Sequence, residues 1–196
     1  MQMIERPVFP ASWRIRTARL QVETFSSRIW DVELDDASRA VVKDIKQFDD
    51  AADELRGAHY LRWRAGIGAI RLLGIDGHRM LLEHAGERML AQDLAERGDV
   101  YATEVTAEVL GQILSISDEP IPSELQPLKD RFSSLFDQAA ADRSSGAKSL
   151  YVEAAQTAEC LLADPHELRV LHADLHHDNI LHGRSEEHTS ELQSPI

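Results

Sequence analysis

The chain has 196 residues, 43% of them hydrophobic, which is enough to build a core in one domain or in two small lobes. Its 34 acidic and 21 basic residues give a formal net charge of −13, which disfavours nucleic acid and anionic membranes as partners but suits a cationic small molecule. Cys160 has no second cysteine to pair with, and the sequence predicts no signal peptide and no membrane span. We therefore expect a cytoplasmic protein, and we expect it to be a monomer.

The first part of the chain has the patterns of two β-hairpins. Polar and apolar residues alternate over residues 27–34, and an extended pattern resumes over residues 39–43, which predicts the first hairpin. The second is predicted by the apolar runs 70–73 and 80–82, with Asp76-Gly77 between them, because this dipeptide tolerates the positive φ angles of tight turns.

A helix is predicted between the hairpins. Asp49 or Asp50 can cap it, apolar residues recur with roughly helical spacing over residues 52–63, and the pattern stops near Gly66. We therefore expect an N-terminal antiparallel sheet plus one helix.

Helical periodicity dominates the second half of the chain. It covers residues 89–95, 103–116, 128–141 and 149–162, and only the proline-containing segment 118–127 interrupts it. The change in composition at 83–87 predicts a hinge between an N-terminal lobe, residues 1–82, and a helical lobe, residues 88–183. The fold class expected is α+β.

Residues 171–181 read Leu-His-Ala-Asp-Leu-His-His-Asp-Asn-Ile-Leu, with an Asp two residues after a His and an Asn five residues after that Asp. This spacing between apolar runs is typical of a kinase-type catalytic loop. Asp174 could accept the proton of an incoming hydroxyl, and the side-chain carbonyl of Asn179 could ligate magnesium on a phosphate. We expect runs 168–171 and 180–181 to be short strands that anchor the loop in the core, and His172 to support it by hydrogen bonding or packing.

Two other interpretations of this loop stay open. It could be a turn whose Asp and Asn only cap backbone groups. It could also be a metal-hydrolase site, because six possible ligands occur within eleven residues. These are His172, Asp174, His176, His177, Asp178 and His182.

Other candidate site residues lie in the first half of the chain. Lys43 ends an apolar strand, as does the phosphate-binding lysine of a kinase, and Glu54 on the next helix could pair with it; Asp53 is the alternative partner. Ser26 and Ser27 lie where a phosphate-covering loop is expected, although that segment lacks the usual glycines.

A nucleotide base could bind at the predicted hinge. Glu83, His84 and Ala85 follow an apolar strand at the junction of the two lobes, and their main-chain groups could hydrogen-bond to adenine.

With these residues, the chain resembles the aminoglycoside phosphotransferases, in particular the branch of streptomycin 6-kinases and hydroxyurea-resistance kinases. The resemblance covers about residues 26–183. It rests on Ala-Val-Val-Lys at 40–43, Asp-Glu-Leu-Arg-Gly-Ala-His-Tyr-Leu-Arg-Trp at 53–63, Arg-Met-Leu-Leu-Glu-His at 79–84, Leu-Leu-Ala-Asp-Pro at 161–165 and the loop at 170–181.

This resemblance implies a protein-kinase-like fold with a nucleotide-binding lobe and a helical lobe. It implies transfer of the γ-phosphate of ATP to a hydroxyl of streptomycin or a related cationic aminoglycoside, which would confer resistance. Asp174 would be the base, Asn179 a Mg²⁺ ligand and Lys43 a phosphate ligand. A kinase for another alcohol (choline, homoserine or a sugar) and a non-catalytic pseudokinase-like binding module remain alternatives.

The sequence departs from the family pattern at two places. Ala173 stands where a Gly is more usual, which is a mild change. Family members also carry an Asp that binds magnesium shortly after the Asn, whereas no Asp follows Asp178 here. We therefore expect an incomplete C-terminal lobe and an inactive fragment.

The last residues have a composition unlike the rest. Residues 184–194 read Arg-Ser-Glu-Glu-His-Thr-Ser-Glu-Leu-Gln-Ser, which matches the translation of a common sequencing-library adapter at eleven consecutive positions. No helical or strand periodicity is present there. We expect residues 184–196 to be a non-native tail; a natural polar tail is the alternative.

Overall fold

The computed structural model describes residues 7–48, 51–146, 148–164, 167–182 and 188–190. The chain divides into two compact units, one formed by residues 1–122 and 171–196 and the other by residues 123–170. These units differ from the two lobes predicted from the sequence, so the lobe boundaries and the hinge stay predictions. The caps expected at Asp49 and Asp50 lie outside the described residues.

The first unit contains an antiparallel sheet in the order β1-β2-β3-β5-β4. Its strands are β1 (Ile15–Glu23), β2 (Ser27–Leu34), β3 (Arg39–Ile45), β4 (Leu72–Asp76) and β5 (Arg79–Glu83). Both predicted hairpins are confirmed, and Gly77 has φ +56° in the second turn. β1 was not predicted: it lies at the edge of the sheet, and its side chains are only partly buried or exposed.

One face of the sheet carries an apolar cluster around the two tryptophans Trp13 and Trp30. Ala40 and Val42 of β3 belong to this cluster and are 0% exposed. Because side chains alternate along a strand, Lys43 projects from the opposite face. The centre of β3 therefore presents a lysine away from the apolar cluster.

The predicted helix is α1 (Ala51–Arg64), which connects β3 to β4. Its last residue, Arg64, is 1% exposed and donates hydrogen bonds to the carbonyl oxygens of Ile67, Gln112 and Ser115 at 3.0, 2.6 and 3.1 Å. A buried guanidinium is stable only when its N–H groups are paired in this way. Arg64 thus fixes the C-terminal end of α1 to the segment around residues 112–115.

A second apolar cluster is formed by α2 (Leu90–Arg97), α3 (Asp99–Ile113) and β6 (Ile180–His182). Leu90, Val109 and Ile180 in it are each 0% exposed. The prediction that residues 180–181 anchor the loop in the core is therefore confirmed. The matching prediction for residues 168–171 is wrong, since no strand forms there and Leu168 and Leu171 are 81% and 55% exposed.

The second unit is helical and consists of α4 (Leu128–Arg131), α5 (Ser133–Ser145) and α6 (Leu150–Ala163). The single helix predicted over 128–141 is divided at Phe132 into α4 and α5. Ala139 of α5 and Ala155 of α6 are 0% exposed, because these helices pack on each other. In the described part of the chain, no helix is both long and apolar enough to span a bilayer.

Part of the C-terminal segment forms a strand, which the lack of periodicity did not predict. β7 (His188–Ser190) pairs antiparallel with β6. Pairing uses main-chain groups, so side-chain periodicity carries no signal for it. The non-native origin of residues 184–196 stays a prediction.

Candidate phosphoryl-transfer site

Lys43 and Glu54 form a buried ion pair between the sheet and α1. Lys43 Nζ lies 2.8 Å from Glu54 Oε2, and the two side chains are 4% and 14% exposed. A buried ammonium is strongly unfavourable without a counter-ion, so the Glu54 carboxylate stabilises a lysine at this position. The alternative partner, Asp53, pairs with Arg56 on the same helix.

Asp174 and Asn179 are hydrogen-bonded to each other across the loop. Asn179 Nδ2 donates to the main-chain oxygen of Asp174 at 2.8 Å and to its Oδ2 at 2.9 Å. Asn179 is 1% exposed and ends a 3-10 turn, His177–Asn179, that leads directly into β6. The burial of Ile180 at the start of β6 therefore fixes the position of Asn179.

The amide orientation of Asn179 leaves its carbonyl oxygen for a cation. Its nitrogen is used by Asp174, and within the described residues no hydrogen bond is donated to Asn179 Oδ1. An amide carbonyl oxygen is among the oxygen ligands that bind divalent cations such as Mg²⁺. The side-chain oxygen of Asn179 thus fits a magnesium ion.

Ala173, one residue before the candidate base, has φ +68°. This left-handed conformation costs an L-residue roughly 1 kcal/mol and costs glycine almost nothing. Glycine, which the family resemblance leads us to expect here, would therefore fit the loop backbone better than alanine.

His172 holds the start of the loop. Its Nδ1 accepts a long hydrogen bond of 3.4 Å from the main-chain N–H of Asp174, and its ring contacts Tyr60 edge-to-face with centroids 6.2 Å apart. Burial lowers the pKa of His172, although the charge of Asp174 acts in the opposite direction. The imidazole is therefore neutral near pH 7 and supports the loop through contacts.

Ser26 and Ser27 form part of the turn between β1 and β2. They are 6% and 2% exposed, and both hydroxyls lie near Thr24 Oγ1, at 3.5 and 3.3 Å. Thr24 Oγ1 also accepts the N–H of Ser27 at 3.0 Å. In the described part of the chain, the main-chain N–H groups of Phe25 and Ser26 form no hydrogen bond, so they are available to an anion.

The candidate adenine-binding residues lie at the end of β5 and immediately after it. The Glu83 carboxylate binds the Arg71 guanidinium at 2.9 and 3.1 Å, and the Glu83 N–H donates to the Arg71 carbonyl. Next to it, His84 Nδ1 accepts the N–H of Gly86 at 3.2 Å. The main-chain N–H of Ala85 makes no hydrogen bond to any described residue.

The metal-hydrolase interpretation finds no matching geometry. His176 lies 3.8 Å from Asp174 and 3.5 Å from Asp178. Across the described residues, however, no group of three or more His, Cys, Asp or Glu side chains is arranged to hold a metal ion.

A cluster that sequence reasoning missed lies beside the loop. The carboxylate of Asp93 is 2% exposed, pairs with Arg88 at 2.7 Å and is hydrogen-bonded to His182 Nε2. The N–H of His182 also donates to the Arg88 carbonyl at 3.0 Å. This cluster joins the segment before α2 to the strand that follows Asn179. No local pattern could have revealed it, since Asp93 and His182 are 89 residues apart.

An antiparallel sheet with a lysine–glutamate pair to its helix, followed by helices and an Asp–Asn loop, defines the chain as an α+β protein of the protein-kinase-like class. It belongs to the aminoglycoside/hydroxyurea antibiotic resistance kinase family, whose sequence model matches residues 12–188.

Known proteins that resemble the chain agree with this assignment. It is 33% identical over 130 residues to a streptomycin 3''-kinase of Klebsiella pneumoniae, covering 66% of this chain and 46% of that protein. The ternary complex of APH(2'')-IIa with streptomycin and ATP has a similar fold, with a TM-score of 0.55 and 13% identity over 90% of this chain and 64% of its own. Choline kinase from Cryptosporidium parvum Iowa II also has a similar fold, with a TM-score of 0.55 and 16% identity; the match covers 93% of this chain and 58% of the choline kinase. The chain thus spans about half the length of the streptomycin kinase it matches.

Proposed function

We propose that this chain contains the nucleotide-binding and catalytic-loop parts of an ATP-dependent O-phosphotransferase, which transfers the γ-phosphate to a hydroxyl of an aminoglycoside such as streptomycin and so confers resistance. One observation carries the proposal: a compact unit of a chain from this family contains both the buried Lys43–Glu54 pair and the hydrogen-bonded Asp174–Asn179 loop.

Lys43 and Glu54 would act on the phosphates. Glu54 holds the ammonium of Lys43 in one position, from which it can bind the α- and β-phosphates of ATP. An ammonium already desolvated and oriented loses little freedom when phosphate arrives, so the pair favours binding in one geometry.

Asp174 and Asn179 would act at the other end of the triphosphate. Asn179 would hold Mg²⁺ through its side-chain carbonyl, and the bound ion would neutralise charge on the phosphates. Asp174 would accept the proton of the acceptor hydroxyl, while the hydrogen bond from Asn179 Nδ2 orients its carboxylate.

Main-chain groups would bind the rest of the nucleotide. In this proposal the turn at Ser26 and Ser27 covers the phosphates, since the N–H groups of Phe25 and Ser26 can donate to them. Main-chain groups of Glu83 and Ala85 hydrogen-bond to adenine at the hinge, residues 83–87, between lobes 1–82 and 88–183.

The acceptor is proposed from the family and from the charge of the chain. The matched kinase of Klebsiella pneumoniae is named for streptomycin, and a net charge of −13 favours a cationic acceptor over an anionic one. We propose that the enzyme works in the cytoplasm as a monomer, without nucleic-acid or membrane partners.

We also propose that the 196-residue chain binds Mg·ATP without catalysing transfer. No Asp occurs among residues 179–196, and a site of this class uses an Asp as a second magnesium ligand beside the Asn. Incubation of the purified chain with Mg·ATP and streptomycin should release no ADP above the rate of a blank.

The transfer step is tested on a longer product of the same gene, read past residue 183. ADP release and the mass of the antibiotic are measured, and NMR of the product identifies the phosphorylated hydroxyl. Asp174→Ala should abolish transfer, whereas Asp178→Asn, an exposed change in the same loop, should retain it. Transfer to choline, homoserine or a sugar but to no aminoglycoside would contradict the proposed acceptor.

A further inference from the structure

Two buried polar atoms without partners lie on adjacent rings, one on α1 and one at the start of the catalytic loop. Tyr60 is 4% exposed, and neither its hydroxyl nor His172 Nε2 has a hydrogen-bond partner among the described residues. The two rings pack edge-to-face, with centroids 6.2 Å apart and an interplanar angle of 87°. Buried donors and acceptors are rarely left unpaired, so this pair needs an explanation.

The hydrogen bond at the other ring nitrogen defines what His172 Nε2 requires. Nδ1 accepts the N–H of Asp174, so in the neutral imidazole the proton lies on Nε2. That N–H is a buried donor that needs an acceptor. Burial raises the pKa of Tyr60 to about 12, so its hydroxyl keeps its proton and can still accept through the oxygen.

We propose that one buried water links the two groups, accepting the Nε2–H of His172 and donating to the Tyr60 hydroxyl oxygen, and that Tyr60 is thereby a positioning residue for the catalytic loop. The link runs from Tyr60 through His172 to the main chain of Asp174. The helix that carries Tyr60 also carries Glu54, six residues earlier, which pairs with Lys43. One helix thus contacts both the phosphate-binding lysine and the loop with the candidate base. The positioning role rests on the proposed function, whereas the hydrogen-bonded link does not.

The link is tested by NMR on the 196-residue chain with ¹⁵N-labelled histidine. His172 should be the neutral tautomer with its proton on Nε2, and that proton should exchange slowly with water. In Tyr60→Phe, which keeps the ring contact, the proton should exchange about tenfold faster, and the amide resonance of Asp174 should shift. Tyr151→Phe, on the exposed part of α6, is the matched control and should change neither signal. A proton on Nδ1 in the parent chain, or unchanged exchange in Tyr60→Phe, would overturn the link.

The positioning role is tested by calorimetric binding of Mg·ATP to the same variants. Tyr60→Phe should weaken binding about threefold to tenfold, and Tyr151→Phe should leave it unchanged. Unchanged affinity in Tyr60→Phe, together with altered NMR signals, would make the link purely structural and overturn the positioning role. If Lys43→Ala also binds Mg·ATP like the parent, the proposed function fails and the positioning role fails with it, while the NMR result still decides the link.

Discussion

Asn179 donates both of its observed side-chain hydrogen bonds to Asp174, one to the main chain and one to the carboxylate, at 2.8 and 2.9 Å. The candidate metal ligand therefore also orients the candidate base. Because Asn179 is almost fully buried and leads into β6, packing fixes its geometry before any ligand binds.

Asn179→Ala should remove the magnesium dependence of nucleotide binding. In the parent chain, ATP should bind about tenfold more tightly with Mg²⁺ than with EDTA, and the variant should show little difference. Isothermal titration with and without the metal measures this directly. Asp178→Asn serves as a control, because its side chain is 61% exposed. A variant that keeps the full magnesium effect would exclude Asn179 as a ligand.

Glu54→Gln should destabilise the fold. The substitution removes the Glu54 carboxylate from the buried Lys43 ammonium, and losing one partner of a buried ion pair costs about 3 kcal/mol. Denaturant unfolding of the purified variant provides the free energy of unfolding. Glu108→Gln, on the exposed side of α3, should change it by no more than about 0.5 kcal/mol. Equal stability of the two variants would show that Lys43 does not depend on Glu54.

Ala173→Gly should stabilise the chain by about 1 kcal/mol, because glycine adopts φ +68° without the steric cost that alanine incurs. The midpoint of urea unfolding should rise. Ala107→Gly in the exposed part of α3 should have the opposite effect, a loss of about 1 kcal/mol, since glycine is unfavourable inside a helix. A loss of stability in both variants would contradict the left-handed conformation at Ala173.

The Asp93 cluster should make stability depend on pH in the acid range. Burial alone would raise the pKa of Asp93, but the hydrogen bonds from Arg88 and His182 outweigh it and lower the pKa below 3.8. A lowered pKa in the folded state stabilises the fold above about pH 4, and this contribution is lost as the pH falls through the folded-state value.

Asp93→Asn should therefore be less stable than the parent by roughly 1–3 kcal/mol at pH 7, and the difference should shrink below pH 4. Thermal unfolding from pH 2.5 to 7 measures it, with the exposed Asp137→Asn on α5 as the control. A difference that stays constant over the whole range would show that the Asp93 carboxylate is not the stabilising group.

Much of the fold could be predicted because its signals are local. The Asp76-Gly77 turn, the periodicity of α1 and the five-residue spacing from Asp174 to Asn179 each follow from neighbouring residues. The pairing of Lys43 with Glu54 could also be predicted, because the two residues are close in sequence and a helix that begins soon after a strand packs back on it.

The features that were not predicted from the sequence depend mostly on burial and on contacts between distant segments. Leu168 and Leu171 are apolar but exposed, because an apolar run is buried only where another element covers it. Tyr60 and His172, or Asp93 and His182, meet only after folding, and neither pair leaves a pattern in either segment. The edge strand β1 was missed although Ala18, Leu20 and Val22 alternate with polar residues, a pattern that is typical of a strand.

In the proposed function, Lys43, held by Glu54, binds the phosphates of ATP in the site completed by Asp174 and Asn179. The most direct test is calorimetric titration of Mg·ATP into the 196-residue chain, Lys43→Ala and the exposed control Lys129→Ala. We expect the parent and Lys129→Ala to bind with equal affinity and Lys43→Ala to bind at least about tenfold more weakly. Equal affinity in all three proteins, with Lys43→Ala folded, would contradict the phosphate-binding role of Lys43.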